Sequence, residues 1–122
     1  MQRNKGQYFS EEEKEFVILL IKLGMNKNAA SLLVFLAGTS LITFREIESG
    51  TDLCESEISI AMKYLNDQGW IRTCPSEKKG RLKKVYGLTK PVADIVQDIE
   101  NMKKVEMKDQ LARVRKLRVY LG

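Results

Sequence analysis

Residues 43–71 read TFREIESGTDLCESEISIAMKYLNDQGWI, and the reading of this stretch decides the fold. Thr43 stands as a cap, with Glu46 at the third helical position, so a short helix is predicted from Phe44 to about Ser49 with Ile47 turned inward. Gly50-Thr51-Asp52-Leu53 has the composition of a tight turn. A second helix is predicted from about Glu55 to Gln68. Ile58, Ala61, Met62 and Leu65 follow at spacings of 3, 1 and 3, the pattern of one buried helical face. Ser56, Ser59, Ile60, Lys63 and Asp67 fall on the opposite face. Gly69 is the expected left-handed stop.

Upstream, Ser10 and Glu13 have the spacing of a capping box. The helix they open carries Phe16, Val17, Leu19, Leu20 and Leu23 and should stop at Gly24. Its acidic first turn suits the positive end of the helix dipole. Residues 1–9 are expected to form a flexible arm. Asn26 is the expected cap of a helix running to about Ala37, apolar nearly all round through Ala29, Ala30 and Leu32 to Leu36. A helix of that kind is the buried centre of a small helical domain.

Downstream, Trp70 to Cys74 is rich in β-formers, and Trp70 is expected in the core. Pro75-Ser76-Glu77-Lys78-Lys79-Gly80 has turn composition. From Arg81 to Leu88, Leu82, Lys84, Tyr86 and Leu88 alternate with a second set that holds Val85. Two strands around a turn make a hairpin. Thr89 is the expected cap of a last helix, with Pro91 in its first turn, where no N–H is needed. Val92, Ile95, Val96, Ile99, Met107, Leu111, Val114, Leu117 and Leu121 lie roughly on one stripe, interrupted by Lys103, Glu106 and Gln110. A break near residues 103–109 is the alternative to one continuous helix; the lack of Pro or Gly there favours continuity. An extended apolar stripe must be covered, most simply by a second copy, although the N-terminal helix could cover part of it. Arg113, Arg115, Lys116 and Arg118 form a basic set that is either solvated, the favoured reading, or in contact with DNA.

The chain has 122 residues, enough for one domain with its own core. It is 43% hydrophobic and 30% charged, as soluble globular chains are. No run is long enough to span a membrane, and the N-terminus lacks the apolar region of a secretory signal, so a cytoplasmic location is expected. Its two cysteines, Cys54 and Cys74, form no C-x-x-C pair, and histidine is absent, so neither a metal nor a cofactor is expected. Both thiols lie on elements read below as facing DNA. They are either unrelated reduced thiols or an oxidation switch, Cys54 standing at a helix N-terminus, where thiol pKa values fall. Nucleophile–base pairs and phosphate-binding glycine loops are lacking, so the chain is not read as an enzyme.

The charge is unevenly placed. Residues 1–71 carry 7 Lys/Arg against 10 Asp/Glu, a net of −3. Residues 72–90 carry 7 against 1, a net of +6, and residues 91–122 carry 7 against 5, a net of +2. The hairpin therefore concentrates the cations that a polyanion would meet.

A short helix, a tight turn and an amphipathic helix form a helix-turn-helix. A basic hairpin directly after it is a wing. The predicted architecture is mainly α with a small β-hairpin: a winged helix-turn-helix over residues 10–90 and a dimerisation helix over residues 91–122. Three segments resemble the winged-helix regulators of the TrmB and MarR/ArsR types. The first is Leu23-Gly24-Met25-Asn26. The second runs from Ser56 to Leu65 and on through Gln68-Gly69-Trp70-Ile71. The third is Gly80-Arg81 followed by Val85-Tyr86-Gly87-Leu88-Thr89. The resemblance covers residues 23–89 and implies a sequence-specific regulator of transcription that binds double-stranded DNA as a homodimer. Family members often carry cations early in the recognition helix, where this chain has Glu55 and Glu57. The sequence holds no counterpart of the sugar-sensing domain of TrmB proteins, so no sugar effector is carried over.

In a helix-turn-helix the second helix enters the major groove. Ser56, Ser59, Ile60 and Lys63 are therefore the expected base contacts. Arg72, Lys78, Lys79, Arg81, Lys83 and Lys84 are expected at the phosphate backbone, although an alternating hairpin cannot turn all of them one way. Paired C-terminal helices would set two recognition helices about one DNA turn apart. The alternative is a winged-helix protein-interaction module that does not read DNA, which the acidic residues at the recognition helix favour and the basic wing opposes.

Overall fold

The structure is a computed structural model and describes residues 9–78 and 80–122; of the Lys78 side chain it describes nothing. The expected arm over residues 1–9 falls outside these residues except for Phe9, and Lys79 falls outside them as well. The chain divides into two compact units, one ending at Thr89 and one from Lys90 to Gly122.

The first unit holds α1 (Glu11–Lys22), α2 (Lys27–Ala37), β1 (Ile42–Thr43), α3 (Phe44–Gly50), α4 (Glu55–Asp67), β2 (Ile71–Lys78) and β3 (Arg81–Leu88). The second holds α5 (Val92–Tyr120). This is the winged-helix layout with a long C-terminal helix. Local chemistry sets the starts. Ser10 and Thr43 each form a complete capping box, with Glu13 and Glu46, and the Asn26 side chain accepts from the N–H groups of Asn28 and Ala29. Gly69, at φ 79, ends α4: its N–H reaches the Asn66 carbonyl at 2.9 Å, and the Trp70 N–H reaches Leu65 at 3.0 Å. This paired closure requires a left-handed residue, which glycine adopts without a Cβ clash.

The core of the first unit is α2 with one face of α4. Leu32, Leu33 and Leu36 are buried together with Ile47, Ile58, Leu65 and Trp70. Each side chain of this size stabilises the fold by about 1.5–3 kcal/mol relative to exposure.

Three expectations need correction. The sheet has three strands rather than two, in the order β1-β3-β2, because Ile42 and Thr43 pair antiparallel with Tyr86 and Val85. Pro75 to Lys78 belong to β2 rather than to the turn. The sheet order leaves β2 with an open edge, and a proline without an N–H is tolerated on such an edge. Lys78 pairs with Arg81, and Gly80 at φ 72 supplies the positive φ that a tight hairpin needs. Finally, Thr89 does not cap α5. Pro91 holds the cap position with no side-chain bond, and the Thr89 hydroxyl donates to the Gly69 carbonyl instead.

The last helix is continuous over 29 residues. Among the described residues no helix is long and apolar enough to cross a membrane.

Candidate nucleic-acid interface

On α4 the residues expected to face outward do so. Ser56, Ser59, Ile60 and Lys63 are all exposed, and Ile58, Ala61 and Leu65 are buried beneath them. Ile60 is 70% exposed, an apolar side chain held in water among small polar neighbours. Lys63 is not a free cation, since its Nζ lies 3.3 Å from the Asp67 carboxylate one turn on.

The acidic start of α4 has a structural explanation for one of its two carboxylates. Glu57 accepts from the Cys54 backbone N–H at 2.9 Å and from the Asn28 amide at 3.4 Å. The Cys54 N–H is the main reason its carboxyl lies below the usual glutamate value of 4.5, followed by the Cys54 side chain; Asn28 and the nearby Lys27 charge add to this, and desolvation opposes it. Glu57 therefore ties the start of α4 to the start of α2. Glu55 is exposed, and among the described residues no hydrogen bond or ion pair engages it.

Strand pairing sorts the wing. Arg72 pairs with Gly87, Cys74 with Val85, and Ser76 with Lys83. Paired residues share a face and faces alternate along a strand. Arg72, Arg81 and Lys83 thus lie on one face of the hairpin, and Lys84 lies on the other with Leu82 and Tyr86. All four cations are exposed. Tyr86 is half-buried, with its ring edge-on to Phe44 at 6.3 Å between centroids. Cys54, exposed at the start of α4, and Cys74, half-buried in β2, are free thiols. Cys74, Lys83 and Val85 line a groove of about 270 Å³ with Thr43 and Glu46.

Three further residues belong to this surface by position. Arg45 is exposed on α3, the helix that crosses the backbone in a helix-turn-helix. Being the one cation of α3, it was open to notice in the sequence. Lys27 is exposed beside Glu57, which no local pattern reveals. Leu82 is 79% exposed near the wing tip, and its alternation with the half-buried Val85 was the available signal.

In the second unit, Ile95 and Ile99 are buried in the single chain, and Val92 is half-buried. Val96, Met107, Leu111, Val114, Leu117 and Leu121 remain exposed. No family model, curated protein or solved structure matches the chain.

Proposed function

We propose that this protein is a sequence-specific regulator of transcription that binds double-stranded DNA through a winged helix-turn-helix of the TrmB or MarR/ArsR type and acts as a homodimer. One observation carries the reading. A face of α4 with small polar side chains and one exposed isoleucine adjoins, in the same compact unit, a hairpin that turns Arg72, Arg81 and Lys83 to one side. Serine hydroxyls and an apolar side chain can read base edges, Ile60 being suited to a thymine methyl. The wing cations supply phosphate contacts and most of the affinity. Capping by Glu57 supports the reading, because it gives that carboxylate a role within the fold.

The test is binding to mixed genomic duplexes across salt concentrations, followed by sequencing of what is retained. Log affinity should fall linearly with log salt, and a shared sequence should be enriched. If no duplex is retained even at low salt, the DNA reading fails. The second reading, a protein-interaction module, draws on Glu55 and Asp67 on α4 and on the exposed apolar Ile60 and Leu82. It would gain from that negative result together with capture of a defined partner abolished by Ile60→Ser.

A further inference from the structure

Every residue from 104 to 122 is exposed, yet the chain is helical as far as Tyr120. Helix with no packed face is marginal in water. At 3.6 residues per turn, Val96, Met107, Leu111, Val114, Leu117 and Leu121 fall within a sector of roughly 120°. That sector needs an occupant, and the charges along α5 indicate which.

Residues 92–102 contain Asp94, Asp98 and Glu100 and no Lys or Arg. Residues 113–122 contain Arg113, Arg115, Lys116 and Arg118 and no Asp or Glu. The helix dipole accounts for Asp94 in the first turn and Arg118 in the last. Its effect fades within one turn, so it does not account for Glu100 or Arg113, which lie about two turns from the ends. Asp98 pairs with Lys90, while Glu100 lies 3.7 Å from Lys104 and Glu106 3.0 Å from Lys103 in exposed pairs along the same helix, which are weak in water and open to exchange. Among the described residues Arg113, Arg115, Lys116 and Arg118 form no ion pair within the chain.

We propose that the α5 helices of two copies pair antiparallel along this sector, about a two-fold axis near Asp109. The proposal rests on the homodimer reading above and gives it a direction. Antiparallel pairing sets Met107 of one copy against Leu111 of the other. On one flank Glu100 meets Arg118, and on the opposite flank Glu106 meets Arg113. Each pair occurs twice by symmetry. Parallel pairing would instead lay the basic end of one helix beside the same end of the other. Arg113 would then face Arg118 across the seam, and like charges repel there.

The test uses the full chain. Sedimentation equilibrium of the unsubstituted protein first gives its assembly state. A spin label is then placed on a Gly122→Cys variant that also carries Cys54→Ser and Cys74→Ser. Antiparallel pairing separates the two labels by roughly 40 Å, from about 26 residues of helical rise. A label separation of roughly 10 Å would overturn the direction and leave the homodimer standing. A monomer for the unsubstituted protein at every concentration would overturn the homodimer and this proposal with it. As a second probe, Arg113→Glu with Arg118→Glu should weaken the dimer at least tenfold at low salt. Adding Glu100→Arg and Glu106→Arg should restore it, and failure to restore also counts against antiparallel pairing.

Discussion

The Thr89 hydroxyl donates to the Gly69 carbonyl at 2.7 Å, while the Thr89 N–H donates to the Trp70 carbonyl at 2.9 Å. These two bonds fasten the end of the wing to the end of α4, so the two halves of the candidate interface are held at one joint. Thr89→Val keeps the side-chain shape and removes the hydroxyl. The bond is exposed, and water can replace the lost donor, so the expected loss is about 0.5–1 kcal/mol. Chemical denaturation should show a lower midpoint with an unchanged slope. An unchanged midpoint would mean the joint does not depend on this bond.

Glu57→Gln should destabilise the fold at neutral pH by weakening the start of α4. The folded-state pKa lies below the usual 4.5, so the native state resists protonation of Glu57. Its contribution is complete above about pH 4.5 and is lost as pH falls through the lowered folded value. The gap in thermal midpoint between the wild-type and variant proteins should therefore narrow on acidification. A gap that stays constant down to low pH would show that ionised Glu57 does not hold the cap.

Gly50→Ala should be harmful although Gly50 lies in ordinary helical backbone. A methyl there would point into the Phe35 ring, with Phe35 Cε1 at 2.7 Å. Phe35 is buried, so its ring has little room to yield. A loss of about 1–3 kcal/mol is expected, as for overpacking elsewhere. Thermal unfolding measures it, and neutrality would mean that the ring moves freely.

The two faces of the wing should behave differently on DNA. Arg81→Ala with Lys83→Ala removes two cations from one face. The salt slope should flatten by about 1.8, near 0.9 for each phosphate contact, with affinity falling similarly for all sequences. Lys84→Ala, on the other face, should change the slope little. Titrations at several salt concentrations compare them, and equal slopes for all variants would remove this face from the interface.

Ile60→Ser should leave the salt slope unchanged and relax preference at one base pair, at a cost of about 1–3 kcal/mol in discrimination. Sequencing of retained duplexes reads this directly. An unaltered preference would exclude Ile60 from base reading.

Much of the fold was legible because its signals are local. Capping boxes at Ser10 and Thr43, the Asn26 cap and the Gly69 stop act on neighbours three or four residues away. The helices consequently begin and end close to where the residues predict. The exposed set on α4 was legible for the same reason, since one periodicity divides the buried residues from the exposed ones. Pro75 misled the reading, because proline marks a turn in isolation and is also tolerated on an open strand edge.

The sequence by itself determined the order of the helices and the hairpin, the faces of α4, the continuity of α5 and the placing of positive charge in the hairpin. Tertiary structure alone decided the rest. It drew Ile42 and Thr43 into the sheet, turned Arg72, Arg81 and Lys83 to one face, brought Asn28 to Glu57, and buried Ile95 and Ile99 while leaving Met107 to Leu121 exposed. The reason is physical. Helix caps and periodicity are satisfied within one or two turns of chain, whereas strand register and burial depend on partners brought together from distant segments, which no local pattern names.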